Sequence, residues 1–533
     1  SALQFLPCPG GVEGMQLVTH GGVDAVILTG GTETALEMLR GKPTLHLLAE
    51  TGGKNSTIVT ALSDRDLAIK HVLHSAFSHS GQKCSATSLL ILEEEVYNDG
   101  RFRDALVDAV ESLAVGSAWE LPTRVGPLIR PPSGALERGL KDLEPGEEWA
   151  VMPRLHVGDN PCLASPGVKW NVAPHSFTHC TELFGPVLGV MQARDLDEAI
   201  ELVNATGYGL TSGLESLDER EHRRWRQRVR AGNLYINRPT TGAIVLRQPF
   251  GGLGKSAFGP GVKAGGPNYI APLMHVEDRG QETGVRGQES GVGNQDSRAS
   301  ERVRAGAPPP PADPASLARS TADLTHLRDA LAHLADDTAL PAHDRTRLVV
   351  AVDDFLHWAA AEFAVAHDHF RLVGEDNFRR YLPVEGLAIR LHEADSPLDA
   401  ALRIAAARAV GGRVVVSSPP ELGGTAARAR DLLDRLTDPW AAAIEFIDER
   451  DEALVAAIAA GRVMRVRYAA PDRVPASLRR AAAEALAYVA DAPPVACGRA
   501  ELLWYVQEQS LSHAYHRYGN LGRRAGEPRA PVE

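Results

Sequence analysis

Two short segments of the chain carry residues suited to nucleophilic chemistry on a carbonyl. The first is FSHSGQKC (77–84), which ends on a thiol, Cys84, directly after Lys83. A cysteine attacks as its thiolate, and a nearby cation or a helix N-terminus favours that form. Gly81 permits the tight backbone path that such a site needs. Most free cysteines are small buried hydrophobes, so the thiol alone does not establish a function.

The second segment supplies a carboxylate upstream of the thiol. Glu50 begins ETGGK at the end of a predicted strand, 34 residues before Cys84. A carboxylate at the C-terminal edge of a buried strand faces the crevice in which α/β sheets bind ligands. A thiolate and a carboxylate in one crevice can attack a carbonyl carbon and then activate water.

Together these segments resemble the aldehyde dehydrogenase superfamily. Its general-base glutamate begins an E-x-G-G-K motif, and its nucleophile closes F-x-x-x-G-Q-x-C, at the spacing seen here. The resemblance implies that Cys84 attacks the aldehyde while its own backbone N–H holds the oxyanion. Hydride then leaves for a nicotinamide, and Glu50 activates the water that hydrolyses the thioester.

The resemblance also implies a cofactor site. LTGGTE (28–33) matches the strand-to-helix turn at which backbone amides meet the pyrophosphate, and TELFGPV (181–187) resembles the segment whose glutamate bonds the nicotinamide ribose. NAD is the expected cofactor, and NAD against NADP stays open because the discriminating region lies before residue 1. The expected cofactor-binding residues are Thr29, Gly30, Gly31, Thr32, Gly52, Glu182 and Phe184.

A third stretch, RPTTGAIVLRQPFGG (238–252), bears on the substrate. Its TGA, with a serine directly after the cysteine, looks like the substrate-anchoring loop of L-glutamate-γ-semialdehyde (Δ1-pyrroline-5-carboxylate) dehydrogenases. Donors clustered on a glycine turn suit a carboxylate anion. The expected substrate-binding residues are Ser85, Gly242, Ala243 and Phe250. Another small aldehyde remains an alternative substrate.

Residues 125–187 and YHRYGNLG (515–522) resemble the C-terminal half of the bifunctional proline utilization A family. That family joins a flavin-dependent proline dehydrogenase barrel to this dehydrogenase. The resemblance implies a fragment of a larger polypeptide, with FAD confined to a proline dehydrogenase part outside this chain, and a homo-oligomer. The alternative is a truncated, catalytically incompetent paralogue that only binds or oligomerises.

The elements that must position these residues alternate between strand and helix. VDAVILTGG (23–31) predicts a buried strand, and TETALEML (32–39) a helix after it. LGVMQARDLDEAIELVNAT (188–206) predicts a strand and then a helix that Asp195 caps. Such alternation predicts a mostly parallel sheet covered on both faces.

Residues 278–318 lack apolar periodicity and are rich in Gly, Ser, Arg and Pro, so we expect a flexible linker between two blocks. The second block is again α/β and contains a stretch, 374–417, similar to an aldehyde dehydrogenase nucleotide-binding half without ETGGK or GQKC. Its segment 501–522 is predicted to be helical. The expected divisions are an NAD-binding remnant (1–48), a catalytic domain (49–236), returning NAD-binding and oligomerisation elements (237–277), the linker (278–318) and a non-catalytic C-terminal domain (319–533).

The predicted fold class is therefore α/β, with aldehyde dehydrogenase-like parallel sheets in an N-terminally truncated Rossmann-type domain and a catalytic domain. A second, degenerate Rossmann-like domain follows at the C-terminus. In this interpretation the second copy is not catalytic and covers the aldehyde tunnel.

Composition excludes several other classes. The 533 residues carry a formal net charge of −12, which opposes a general grip on nucleic acid, and no apolar run reaches bilayer length. Five widely spaced cysteines and no signal peptide favour a reducing cytoplasm. His71, His74 and His79 lie near Cys84 in sequence, but only the first two can share a helix face, so no metal site is expected.

Overall fold

The computed structural model describes residues 3–8, 10–278, 314–334 and 339–529. Most of the predicted linker, 279–313, lies outside these described residues. Its last five residues, 314–318, belong to a helix that begins at Pro314, so the linker prediction extends too far toward the C-terminus.

The strands follow the predicted alternation through both blocks. They are β1 (Ala25–Thr29), β2 (His46–Glu50), β3 (Asn55–Val59), β4 (Thr87–Glu93), β5 (Glu148–Val151), β6 (Gly167–Trp170), β7 (Val187–Ala193), β8 (Tyr208–Gly209), β9 (Thr211–Glu215), β10 (Asn233–Ile236), β11 (Leu253–Gly254), β12 (Ala257–Phe258), β13 (Glu375–Pro383), β14 (Leu387–Arg390), β15 (Val414–Ser418), β16 (Ile444–Asp448), β17 (Arg465–Arg467), β18 (Tyr488–Ala490) and β19 (Val506–Ala514).

The helices lie mainly between these strands. They are α1 (Val12–Thr19), α2 (Thr32–Gly41), α3 (Arg65–Phe77), α4 (Glu94–Tyr97), α5 (Gly100–Glu111), α6 (Gly134–Lys141), α7 (Phe177–Cys180), α8 (Leu196–Ala205), α9 (Glu219–Arg228), α10 (Pro314–His333), α11 (Ala342–Trp358), α12 (Pro397–Ala409), α13 (Gly424–Thr437), α14 (Asp451–Ala459), α15 (Ala476–Ala485) and α16 (Gly498–Glu501). Asp195 caps α8 as predicted, because its Oδ1 accepts from the backbone N–H of Glu198 at 2.9 Å.

A nine-stranded sheet forms the centre of the molecule, in the order β13-β19-β10-β9-β3-β4-β7-β6-β5. Its inner strands are parallel, and the two edge strands, β13 and β5, run antiparallel to their neighbours. Successive residues of β3, Ile58 and Val59, enter two different apolar clusters, as do Ile91 and Leu92 of β4. The sheet is therefore covered on both faces, as the alternation of strands and helices predicts.

Two smaller parallel sheets flank it. β1 and β2 pair in parallel, with the short β12 antiparallel on the other side of β2, and the second block forms a five-stranded parallel sheet in the order β16-β15-β14-β17-β18. The α/β class and the parallel pairing agree with the sequence.

The prediction that 23–31 is a buried strand is right about the strand and wrong about its burial. Residues of β1 alternate between exposed and half-buried, and Ile27 is 54% exposed. The reason is that, among the described residues, β1 pairs only with β2 and so forms the edge of its sheet.

The prediction of a helix over 501–522 is wrong for most of that segment. A short helix, α16, and a single 3-10 turn (Leu502–Tyr505) precede β19, which inserts between β10 of the first block and β13. Polar side chains of β19 are hydrogen-bonded to the first block: Ser510 donates to the Pro249 carbonyl at 2.5 Å, and Gln509 donates to the Ala231 carbonyl at 2.8 Å. Long-range pairing outweighs the local helical preference here.

None of the helices within the described residues has the length and apolar character needed to cross a bilayer.

Candidate active site

Glu50 is the last residue of β2, and its carboxylate is turned toward a glycine loop. Oε2 accepts from the backbone N–H of Gly252 at 2.8 Å. A Cβ at the preceding residue, Gly251, would lie 2.6 Å from Oε1, so only glycine leaves room for the carboxylate. Burial raises the pKa of Glu50 to about 8, while the Lys263 ammonium and the Gly252 N–H oppose that shift. A base poised near neutral pH is what general-base catalysis requires.

Cys84 follows a turn in which His79, Ser80 and Gly81 all have positive φ. Gly81 packs directly on the backbone of the FGPV segment, since a Cβ there would come 2.3 Å from the Gly185 carbonyl oxygen. The predicted need for glycine at this position is therefore explained by a close backbone approach as well as by φ +68°.

Asn55, the first residue of β3, holds the other side of the nucleophile turn. Its side-chain amide donates to the carbonyls of Cys84 at 2.6 Å and Ala86 at 3.0 Å. Its Oδ1 accepts from the Thr211 N–H at 3.0 Å. Asn55 is buried, so three hydrogen bonds fix the backbone on which the thiol is carried.

The charge environment of the thiol differs from the prediction. Burial raises the pKa of Cys84, and the carboxylates of Glu182 and then Glu50 raise it further, whereas the backbone N–H groups of Ser85 and Cys84 act in the opposite direction. The Lys83 ammonium is not among the main influences on this thiol. Burial and then Lys83 lower the pKa of His74. Glu50 and Glu182 therefore both lie close enough to act on the thiol.

Glu182 lies against the glycines of ETGGK. Its Oε1 accepts from the Gly53 N–H at 2.8 Å, and a Cβ at Gly52 would lie 1.9 Å from its Oε2. Lys54 is buried beside it, and among the described residues its Nζ has no hydrogen-bond partner. Burial lowers the pKa of Lys54 to about 7, and Glu182 opposes that shift. Burial likewise raises the pKa of Glu182.

The turn predicted to meet the pyrophosphate joins the same region. Gly30 and Gly31 connect β1 to α2, and Gly31 is the N-cap residue. Because no side chain caps this helix, the backbone N–H groups of its first turn can bind an anion. The hydroxyls of Thr32 and Thr51 both donate to the Lys255 carbonyl, at 3.1 and 2.8 Å. This shared acceptor ties the turn to ETGGK.

These features fit a nicotinamide dinucleotide. A helix N-terminus with an open cap suits a pyrophosphate, and a half-buried carboxylate, Glu182, suits ribose hydroxyls. Thr29 ends β1 beside this turn. Phe184 is 44% exposed at φ +53°, and its carbonyl accepts from Gln82 Nε2 at 3.3 Å.

The predicted substrate loop is anchored to the residue after the nucleophile. Thr240 Oγ1 donates to the Ser85 carbonyl at 3.0 Å, and the Thr240 N–H donates to Ser75 Oγ at 3.1 Å. Gly242 turns at φ +89°, and it and Ala243 are exposed. Ser85 is buried. The structure therefore brings the TGA turn to the Ser85 backbone.

Phe250 lies at the other end of the loop. It is half-buried, and its N–H donates to the Ala264 carbonyl at 2.8 Å.

One of the histidines that precede the nucleophile has a buried protein partner. His71 Nδ1 lies 2.9 Å from the buried Glu215 carboxylate. His175, His179 and Cys180 form a compact group, but His179 uses both ring nitrogens, accepting from the His175 N–H at 2.8 Å and contacting the Leu202 carbonyl at 2.9 Å. A ring nitrogen already committed to a backbone group does not ligate a metal.

Several residues of the site were not predicted from the sequence. Asn55, Thr240, Lys54 and Lys263 act on the predicted residues through buried contacts. Asn55 and Lys54 stand inside or next to ETGGK, so that motif could have marked them. Lys263 stands outside every quoted motif of the site, and only its burial beside Glu50 reveals it.

Comparison with known proteins agrees with this geometry. The sequence pattern of the aldehyde dehydrogenase family matches residues 1–277. Over 285 residues the chain is 34% identical to a 1-pyrroline-5-carboxylate dehydrogenase of Geobacillus kaustophilus (strain HTA426) and to one of Bacillus subtilis (strain 168). Each match covers 52% of this chain and 54% of the relative. The chain thus spans about half the length of these curated relatives.

A solved structure is similar over nearly the whole chain. It is proline utilization A (PutA) from Corynebacterium freiburgense, at 36% identity and a TM-score of 0.70, covering 96% of this chain and 44% of that one. The likeness therefore extends to the second block. The family pattern alone matches more than half of the chain and includes both chemical motifs. We conclude that this chain belongs to the aldehyde dehydrogenase family.

Proposed function

We propose that the chain carries the site for NAD-dependent oxidation of L-glutamate γ-semialdehyde to L-glutamate in proline catabolism. The observation that carries the proposal is that Glu50 and Glu182 both lie at the ETGGK segment, whose neighbour Asn55 holds the Cys84 carbonyl. Relatives named 1-pyrroline-5-carboxylate dehydrogenase and a PutA structure support this substrate over other small aldehydes.

The reaction requires two steps on Cys84. The thiolate adds to the aldehyde carbon, and the Cys84 N–H is the proposed donor to the oxyanion, on a turn that Asn55 holds in place. Loss of hydride converts this adduct into a thioester, and a bound nicotinamide supplies the hydride acceptor. Glu50 then takes a proton from water as the water attacks the thioester, which releases the acid and the thiolate.

The cofactor assignment rests on residues at the helix N-terminus and beside ETGGK. We assign the pyrophosphate to the Thr29–Thr32 turn and the nicotinamide ribose to Glu182, with Gly52 and Phe184 nearby. The proposed cofactor is NAD, because the family resemblance implies a nicotinamide dinucleotide.

The substrate carboxylate is assigned to the loop beside the nucleophile. Ser85, Gly242 and Ala243 offer hydroxyl and amide donors, and Thr240 holds this turn to Ser85. Gly242 at φ +89° permits adjacent amides to point the same way. Phe250 is assigned to the wall of the substrate site.

We also propose the polypeptide, the assembly and the compartment in which the chain works. We infer that the chain works as part of a polypeptide that also contains a proline dehydrogenase domain, where FAD would belong, and that it forms homo-oligomers. All five cysteines are free, which agrees with the cytoplasm. The second block, which lacks both chemical motifs, is proposed to be non-catalytic.

The alternative of a catalytically incompetent binding module is less favoured, because the thiol, the base and the cofactor carboxylate are all retained in one place. An assay of NAD reduction with the semialdehyde, on the native polypeptide, separates the two. We expect Cys84→Ala to abolish turnover and Cys162→Ala to leave it unchanged. Equal losses, or an inactive native polypeptide, would refute the assignment.

A further inference from the structure

One peptide group links the proposed base to a buried lysine. Lys263 Nζ donates to the Gly251 carbonyl, and the N–H of the same peptide, on Gly252, donates to Glu50 Oε2 at 2.8 Å. The ammonium and the carboxylate are therefore joined by an unbroken hydrogen-bonded path. In such a path each bond polarises the next.

The glycines beside this path leave no room for a larger side chain. A Cβ at Gly251 would lie 2.6 Å from Glu50 Oε1, and a Cβ at Gly232 would lie 2.5 Å from Lys263 Nζ. Asn233 Nδ2 also donates to the Gly251 carbonyl, at 3.0 Å. Close packing therefore confines the ammonium to the carbonyl side of the peptide and the carboxylate to its N–H side.

The second block holds Lys263 in this position. Glu508, on β19, accepts from the Lys263 N–H through Oε2 at 2.8 Å, and its own N–H donates to the Gly261 carbonyl at 2.9 Å. Arg465 Nη2 donates to the Pro260 carbonyl at 2.9 Å. Lys263 and Glu508 are each 1% exposed. The segment 260–263 thus takes its position from residues of the second block.

We propose that Glu508 is a positioning residue for the base Glu50, and that the second block thereby completes the active site of the first. Glu508 holds Lys263 against the Gly251–Gly252 peptide and supplies the negative charge that keeps the ammonium protonated. The inference rests on the proposed function only in treating Glu50 as the base.

The pKa values of the two charged partners agree with this geometry. The Lys263 ammonium counteracts the burial that raises the pKa of Glu50. Burial lowers the pKa of Lys263 to about 8, and Glu50 and Glu508 counteract that shift. Each charge therefore favours the ionised form of the other.

Other titratable groups face this cluster from neighbouring elements. Cys84 and Tyr269 lie near Glu50, which raises the pKa of both. On β13, Arg379 lies 3.7 Å from Glu508 Oε1, and Glu508 raises the pKa of Tyr381. These groups are unchanged by the substitutions proposed below.

The expected sign follows from the charges. Lys263→Met removes a positive charge that lowers the pKa of Glu50, so the base becomes ionised only at higher pH. We expect the acid limb of the hydrolysis rate to move upward by about one pH unit or more. Glu508→Gln removes a negative charge that raises the pKa of Lys263, so less of the lysine is protonated and the pKa of Glu50 rises. The acid limb of the rate profile therefore moves in the same direction, by a smaller amount.

The experiment measures hydrolysis of p-nitrophenyl acetate by the native polypeptide as a function of pH. Ester turnover needs the thiol and the base but neither the cofactor nor the natural aldehyde. Glu385→Gln, at an exposed carboxylate of the second block, is the matched control and is expected to leave the profile unchanged. Melting temperatures are recorded for every variant.

A purely structural role for Glu508 would lower the rate equally at all pH values or lower only Tm. Acid limbs of Glu508→Gln and Lys263→Met that coincide with that of the unsubstituted protein would overturn the proposal. If Lys263→Met does not fold, the nearly isosteric Glu508→Gln decides. Failure to oxidise the semialdehyde would refute the proposed substrate without affecting this result.

Discussion

Buried charges beside the candidate site are partnered differently from those in the core of the second block. In the second block, Arg467 pairs with Glu501 at 2.9 Å, and Arg403 pairs with Asp395, each with both side chains almost fully buried. In the first block, the buried Lys54 Nζ has no hydrogen-bond partner among the described residues. Within the part of the chain that the structure describes, the half-buried Glu50 accepts from a backbone N–H and reaches Lys263 through a peptide.

The difference separates two uses of buried charge. A buried pair with direct contacts is locked and contributes to a specific structure, whereas an incompletely neutralised group keeps a shifted pKa and can exchange protons. The first block places such groups around Cys84, and the second block surrounds its arginines with acceptors. In our proposal, the same α/β architecture serves chemistry in the first block and supports that site from the second.

The largest expected effect is a loss of stability when a buried ion pair is broken. Arg467→Met leaves Glu501 buried and unpaired, which costs about 3–5 kcal/mol of the free energy of unfolding. Urea titration measures this loss. Arg413→Met, in an exposed pair with Glu445, is the control and should cost less than about 1 kcal/mol. Similar losses in both variants would contradict the contrast between locked and exposed pairs.

A smaller but catalytic effect is expected at the nucleophile turn. Asn55→Ala removes the donors to the Cys84 and Ala86 carbonyls, so the thiol loses its fixed position. We expect kcat for aldehyde oxidation to fall about 100-fold, since misplacement by an ångström costs that much. Asn160→Ala, an exposed loop amide, is the control. An unchanged kcat for Asn55→Ala would show that the turn holds its own shape.

Lys54→Met tests the idea that an unpaired buried charge serves function at the expense of stability. Because no hydrogen bond to the ammonium is lost, we expect the free energy of unfolding to stay the same or to rise by about 1 kcal/mol. The Glu182 carboxylate loses a neighbouring cation, so its pKa rises further, and the bond that we propose it makes to the cofactor ribose weakens. The expected readout is a KM for NAD raised about tenfold. A marked loss of stability would contradict the prediction.

The smallest effect concerns the thiol itself. Glu182→Gln and Glu50→Gln each remove a negative charge that raises the pKa of Cys84, so the pH midpoint of iodoacetamide alkylation should move downward in both. The shift should be larger for Glu182→Gln, whose charge contributes more. An unchanged midpoint in both variants would show that burial alone sets this pKa, and an upward shift in either would contradict the assigned sign.

The strand and helix order of the first block and the two chemical motifs could be predicted locally. ETGGK and FSHSGQKC mark the base and the nucleophile because glycine is needed where Glu182 and the Gly185 carbonyl approach the backbone. Burial could not be predicted from apolar content, as β1 illustrates: Ile27 of this edge strand is exposed, and Val26 and Leu28 are only partly buried against a core cluster. The raised pKa of Cys84 could not be predicted from the sequence either, because it depends on burial and on the carboxylates of Glu182 and Glu50, which are distant along the chain.

By itself the sequence determined which residue types carry the chemistry and the α/β class, since both depend on short motifs and local periodicity. Only the tertiary structure decided that β19 is a strand and that Glu508 reaches Lys263, 245 residues away along the chain. Such a contact leaves no local pattern, because its energy comes from pairing and burial that exist only once the two blocks have packed together.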